Sequence, residues 1–131
     1  MNNKLDKILA EISAGELIDK ITILEIKKLK ISNKDKLIDI EKELFSLNQT
    51  MSEFILDVTK VEKYKTELKK INLKLWDIED GKRYAEKNSD FGTKFIELAR
   101  NVYKFNDERA KIKLAINNAL GSNIKEVKSY E

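Results

Sequence analysis

Long uninterrupted helical patterns constrain this chain more than any other feature of its sequence. Proline is absent and glycine occurs only four times in 131 residues, so few positions can break a helix. Apolar residues recur at steps of three and four over most of the length, which is the period of an amphipathic helix. We therefore predict an all-α fold, an antiparallel bundle of about four helices, two of them long.

Local start and stop signals place these helices. Ser13-Ala14-Gly15-Glu16 fits a capping box, which predicts the start of the first helix. The first predicted helix covers about residues 14–31, and the second begins near residue 34. The third covers about residues 59–88 and the fourth about residues 93–120. We place a turn between residues 48 and 59, and we expect Gly121 to cap the last helix. Residues 1–131 then form a single helical domain, with an N-terminal arm (1–13) and a partly ordered tail (122–131).

Composition excludes several kinds of chemistry. Neither cysteine nor histidine is present, so thiol and imidazole chemistry and zinc sites built on sulfur or nitrogen are ruled out. We expect no cofactor and no metal site. The 26 basic and 23 acidic residues are interspersed, which argues against nucleic-acid binding because such proteins concentrate their basic residues. No apolar run spans a bilayer and no signal-peptide core is seen, so we expect a cytoplasmic protein without membrane contact.

Polar residues interrupt the apolar face of the last predicted helix. Asn106, Arg109, Lys113 and Asn117 follow one another at steps of three and four, so they share the side of the helix that should face the core. Burying an amide or a guanidinium is unfavourable unless it is hydrogen-bonded. This row therefore predicts either a structural polar network or a binding site.

Similar intrusions occur on two other predicted helices. Glu25 and Lys28 fall on the apolar side of the first helix, whereas Asp19 and its neighbours Glu16, Lys20 and Lys27 fall elsewhere and are assigned to capping and solvent. On the third helix a ridge of four residues steps by four, three and four: Asn72, Trp76, Glu79 and Arg83. Gly81, in the same helix, predicts a kink or a close helix contact.

The arginines support a distinction between these positions. Arg83, Arg100 and Arg109 are the three arginines among 26 basic residues, and arginine supplies a planar, forked donor that lysine cannot. On helical geometry Arg83 and Arg109 can meet, while Arg100 points to solvent or to a partner chain.

Two interpretations of the polar positions remain open. The first is a buried ion-pair network, for example Glu79 with Arg109, that fixes helix register. The second is a pocket for a small anion, with Glu25 or Glu79 as acid or base. In the second interpretation the ligand-binding residues would be Arg83, Asn106, Arg109, Lys113, Lys28 and Trp76.

Several long segments resemble an uncharacterised family from bacteria and phages, a domain of unknown function. They are Ser13 to Lys27, Leu75 to Asp80 followed by Arg83 and Glu86, Phe95 to Tyr103, Asn106 to Ala110, and Lys128-Ser129-Tyr130. The resemblance covers almost the whole chain and implies no established activity.

A looser similarity is to the all-helical chorismate mutases. Leu17-Ile18-Asp19-Lys20-Ile21 resembles a run on the first helix of those enzymes, which bind an anionic substrate with arginines, lysines and a glutamate. They also carry an early arginine on that helix, whereas this chain has none before Arg83. The likeness is an analogy at the level of the fold.

Two functions follow from these observations. We expect a cytoplasmic helical binding or accessory module of a bacterial or phage family, without catalysis of its own. The alternative is a small enzyme with an intra-bundle Arg/Lys/Glu pocket for an anionic metabolite such as a sugar phosphate, a nucleotide sugar or a chorismate-like acid. A homodimer is expected in either case, because the ends of such long helices would overhang a small bundle.

Overall fold

The computed structural model describes residues 4–129, and its four helices confirm the all-α prediction. They are α1 (Ala14–Lys30), α2 (Lys34–Phe54), α3 (Thr59–Lys87) and α4 (Thr93–Leu120), with no strand in the described range. At ~1.5 Å per residue, α3 and α4 are each about 42 Å long. Residues 1–3 of the predicted arm and 130–131 of the predicted tail lie outside the described residues.

Short-range signals fix the helix ends. The Ser13 hydroxyl accepts a hydrogen bond from the Glu16 N–H at 3.1 Å, and Gly121 ends α4 in the left-handed conformation at φ 64°, as predicted. A capping box also requires the Glu16 side chain to reach back to the first residue of the box, and this part of the prediction is wrong. The Glu16 carboxylate instead accepts a hydrogen bond from Lys113 at 2.6 Å. A residue expected to act locally is thus drawn into a contact between helices.

The turn after α2 is shorter than predicted. Helix α2 continues to Phe54, so only residues 55–58 separate it from α3. Thr50 and Ser52 are weak helix formers, but their hydroxyls donate to backbone carbonyls of the preceding turn, at 3.2 Å and 2.9 Å. Met51 packs against the core. Burial of Met51 therefore outweighs the weak local propensity.

Helix α1 is the centre of the bundle. It packs against each of the other three helices, whereas α2 approaches α1 alone. Leu17, Ile18 and Ile21 of α1 form the core with apolar residues of the other elements, including Leu68 and Ile116. The core does not extend to the C-terminal end of α1, because residues 28–30, including Leu29, are exposed.

Helices α3 and α4 form an antiparallel hairpin. The close helix contact predicted at Gly81 is present: a Cβ added there would lie 3.1 Å from a methyl carbon of Leu98. Further along the hairpin, the Lys74 ammonium lies 5.0 Å from the centre of the Phe105 ring. The helix continues through Gly81 without a break.

The start of α1 lies directly against the backbone of α4. The Gly15 N–H donates to Asn117 Oδ1 at 2.7 Å. A Cβ at Gly15 would overlap the backbone carbonyl oxygen of Lys113. Only glycine fits this approach, because a backbone atom cannot move aside as a side chain can.

We expect Gly15→Ala to lower the free energy of unfolding by about 1–3 kcal/mol, since it overpacks a backbone contact. Gly81→Ala is the matched control. Its neighbour is a flexible leucine methyl group, and alanine gains up to ~1 kcal/mol in helix propensity, so stability should change by less than about 1 kcal/mol. Urea unfolding of both variants measures the difference. Equal midpoints would contradict the close approach of α1 to α4.

Candidate functional site

A buried carboxylate joins three helices. The Asp19 side chain on α1 is 0% exposed, and Arg109 of α4 donates to it twice, from Nε to Oδ1 at 2.9 Å and from Nη2 to Oδ2. Asn72 of α3 donates from Nδ2 to Asp19 Oδ1 and to Thr22 Oγ1, both at 2.9 Å. We call Asp19, Thr22, Asn72 and Arg109 the Asp19 network. It ties α1, α3 and α4 together.

The assignment of Asp19 to solvent is therefore wrong. A helical wheel gives α1 one apolar face, but α1 is packed on several sides, and Asp19 and Thr22 are both fully buried. One signal was present in the sequence: Asp19 is a poor helix former in mid-helix and is bracketed by Ile18 and Ile21. The proposed pairing of Glu79 with Arg109 is also wrong, because Asp19 holds that guanidinium.

A second set of polar contacts continues towards the C-terminal end of α4. The buried Lys113 ammonium donates to Glu16 at 2.6 Å and to Glu126 at 2.9 Å, and it lies 4.0 Å from Asp19 Oδ2. Within residues 4–129, every buried side-chain polar atom has a hydrogen-bond partner. The polar row on α4 thus forms a satisfied network at Arg109, Lys113 and Asn117.

Hydrogen bonds and neighbouring charges favour the ionised forms of Arg109, Lys113 and Glu126. The hydrogen bond from Arg109 to Asp19 raises the pKa of the guanidinium, against the opposing effect of burial. Burial lowers the pKa of Lys113, but its hydrogen bonds with Glu16 and Glu126 outweigh burial and raise it overall. Lys113 in turn lowers the pKa of Glu126 through its hydrogen bond and its charge. Neither cation is suited to exchange protons near neutral pH.

An open groove of about 290 Å³ adjoins the Asp19 network. We call it the Trp76 groove. Its apolar lining consists of Ile23, Ile26 and Leu75. Its polar lining includes Arg109 and all four residues of the ridge predicted on α3. The polar lining consists of Asn72, Trp76, Glu79, Asp80, Arg83 and Arg109.

Two groups in the groove have donor capacity to spare. Arg109 uses Nε and Nη2 for Asp19, and within residues 4–129 its Nη1 has no hydrogen-bond partner. Arg83 is exposed and makes no ion pair with any described residue. Glu79 is exposed and pairs with Lys82 at 3.3 Å.

Other candidate residues lie elsewhere. Glu25 pairs with Lys65 at 3.3 Å and Lys69 at 3.5 Å, in a depression that no residue of α4 lines. Lys28 is exposed and lies 3.8 Å from Glu41 of α2. Their expected convergence on Arg109 is not found, because they lie on flanks of α1 that face α3 and α2.

Two further candidates lie outside the groove lining. Asn106 is half-buried on α4. Arg100 is exposed on α4 and does not line the Trp76 groove, whereas Arg83 and Arg109 both line it.

Within residues 4–129, no group of three or more acidic side chains could hold a metal ion. No helix in that range is long and apolar enough to cross a membrane.

The fold and the groove define an all-α protein with a buried polar network and an adjoining groove that carries arginine, tryptophan and carboxylate side chains. A family model matches residues 8–131, and the chain belongs to that family, DUF6165, a family of unknown function. This confirms the resemblance seen in the sequence. Comparisons with curated proteins and with solved structures gave no match. The likeness to chorismate mutases thus stays an analogy.

We expect Asp19→Asn to lower the free energy of unfolding by about 3–5 kcal/mol, because it leaves the Arg109 guanidinium without its buried counter-ion. Glu25→Gln is the matched control, since it removes two partly exposed ion pairs worth about 0–1 kcal/mol each. Urea unfolding of both variants at neutral pH measures the difference. Similar losses in the two variants would contradict the central role of Asp19.

Acid should release the tail around Glu126 from α4. The pKa of Glu126 is lowered by Lys113, so its tie is present above the ordinary glutamate pKa and is lost as pH falls through the lowered value. We expect the amide resonances of Val127 and Lys128 to shift in an acid NMR titration. Glu126→Gln should show the low-pH positions at neutral pH. Tail resonances that stay constant until global unfolding would contradict this tie.

Proposed function

We propose that this protein is a binding module that holds a small anionic metabolite in the Trp76 groove and has no catalysis of its own. The observation that carries the proposal is the state of Arg109. Its guanidinium is held in one orientation by Asp19, yet it lines an open groove and keeps Nη1 available. A donor fixed in advance loses little conformational entropy when a ligand binds.

The other groove residues favour an anion attached to a ring. Arg83 supplies a second guanidinium without an ion-pair partner among the described residues, and two forked donors suit a carboxylate or a phosphate. Trp76 offers an aromatic surface and an indole N–H. The volume of about 290 Å³ is at the lower end of small-molecule sites, ~300–1,000 Å³. A sugar phosphate or a small aromatic acid fits this description.

The enzyme alternative rests on two carboxylates in the same groove. Glu79 and Asp80 line it beside both arginines, so Glu79 could act as an acid or base on a bound anion. Glu25, the other candidate, is engaged by two lysines outside the groove. Binding alone needs fewer assumptions, because the arginines suffice for it. The cytoplasmic setting and the bacterial or phage origin stay predictions of the sequence.

A thermal-shift screen with sugar phosphates, nucleotides and aromatic acids should identify a ligand, and calorimetry should then compare two arginine variants. We expect Arg83→Ala to weaken binding about tenfold or more, since a hydrogen bond to a charged group contributes ~1.5–3 kcal/mol. Arg100→Ala is the matched control, because it removes the same charge from the surface of α4, and it should bind like the wild type.

Three outcomes would count against the proposal. Equal losses in the two variants would indicate only a general charge effect, and the absence of any stabilising anion would remove the groove as a site. Turnover of a bound ligand that Glu79→Gln abolishes, with affinity retained, would establish the enzyme alternative instead.

A further inference from the structure

The segment before α1 carries an apolar face that nothing in the described structure covers. Leu5, Ile8 and Leu9 are 77%, 82% and 87% exposed, and Ile12 follows at 39%. The four residues are spaced i, i+3, i+4 and i+7, which places them on one side of a helix. Residues 4–13 are nevertheless not helical in the structure. This arm therefore has the pattern of an amphipathic helix without a surface to fold against.

An apolar groove lies at the end of the bundle beside this arm. Its volume is about 600 Å³, twice that of the Trp76 groove. It forms where α1 begins and α2 and α4 end, with Leu17, Ile55 and Leu120 in its lining. Phe54 and Leu56 also line it, yet they are 76% and 88% exposed. We call it the end groove.

The arm is poorly placed to fill the end groove of its own chain. Residues 10–13 already form one wall of that groove. They are held there by the buried Ser13 cap and by a hydrogen bond from Asn123 to Glu11 at 2.6 Å. Residues 4–9 do not line it, and their apolar side chains Leu5, Ile8 and Leu9 remain exposed.

We propose that residues 4–9 become helical and are exchanged between two copies of this chain, while residues 10–13 stay in place as one wall of the end groove. Each arm lays Leu5, Ile8 and Leu9 into the end groove of the other copy. An amphipathic helix entering an apolar groove with anchors at i, i+3 and i+4 is a common mode of recognition. Reciprocal exchange makes the interface isologous and closes it as a dimer. The proposal does not depend on ligand binding in the Trp76 groove.

The available apolar surface is enough for a dimer. Burial of one large apolar side chain removes roughly 100 Å² from water. Five such side chains per copy give about 1,000 Å² in a twofold pair, which is the area that a biological interface should reach. The five are Leu5, Ile8, Leu9, Phe54 and Leu56.

Charge presents no barrier to the exchange. The arm carries two basic and two acidic residues: Lys4, Lys7, Asp6 and Glu11. A segment without net charge is not repelled by a second copy.

The oligomeric state of the full chain tests the proposal, measured by sedimentation velocity over a hundredfold range of concentration. We expect a wild-type dimer, and we expect Leu9→Asp to raise its dissociation constant at least a hundredfold. Leu9 is almost fully exposed, so this change should leave the fold intact, which circular dichroism checks. Ile96→Asp is the matched control: it places the same charge at a half-exposed apolar position on α4, and it should remain a dimer.

A mixing experiment separates arm exchange from any other association. Leu9→Asp spoils the arm and Leu56→Asp spoils the groove, so each variant alone should be monomeric. Their mixture contains one intact arm and one intact groove, so it should form heterodimers that dissociate more readily than the wild-type dimer but less readily than either variant alone. A wild type that stays monomeric, a Leu9→Asp protein that stays dimeric, or a mixture that fails to associate would each overturn the proposal. Dissociation by Ile96→Asp would place the interface on α4 and overturn it as well.

Discussion

The carboxylate of Asp19 is the constraint on which the arrangement of the helices depends. Removing it from water costs several kcal/mol, and the structure meets that cost with donors from Arg109 on α4 and Asn72 on α3. Apolar contacts alone would tolerate a shift of one helix along another, whereas such a shift here would leave a buried charge without its donors. Helix α2 contributes nothing to this network, and Ile40 is its only buried residue within the described range.

The same interaction gives the Trp76 groove its chemistry. A lone arginine on a bundle surface samples many rotamers and loses that freedom when it binds an anion. Arg109 has already lost it to Asp19, while Nη1 remains uncommitted. From the sequence alone a polar network and a pocket are alternatives, but in the structure the two share Arg109. One side of its guanidinium is bonded to Asp19, and the other side lines the groove. Substituting Arg109 itself would change both properties, so Arg83 is the better probe of binding.

The sequence predicts the helices well because their signals are local. Ser13 marks the start of α1 and Gly121 marks the end of α4, each within about one residue of the observed position. The absence of proline leaves both helices unbroken. The site is predicted only in part. Arg109 was identified, but its partner Asp19 was not, since a helical wheel describes one helix at a time. Which residues meet depends on how α1 crosses the α3–α4 hairpin, and that crossing results from packing between helices.

Different parts of α1 line the two grooves. Leu17 lines the end groove, Ile23 and Ile26 line the Trp76 groove, and the buried turn with Asp19 lies between them. One route between the grooves runs through that turn, and a second runs along α4, which supplies Arg109 to the Trp76 groove and Leu120 to the end groove. Coupling requires an element with two alternative arrangements, but Asp19 and Thr22 in the turn are fully buried, and Asp19 is held by donors from two helices. The residues changed to test one groove do not line the other, so each proposal can be tested while the other groove stays intact.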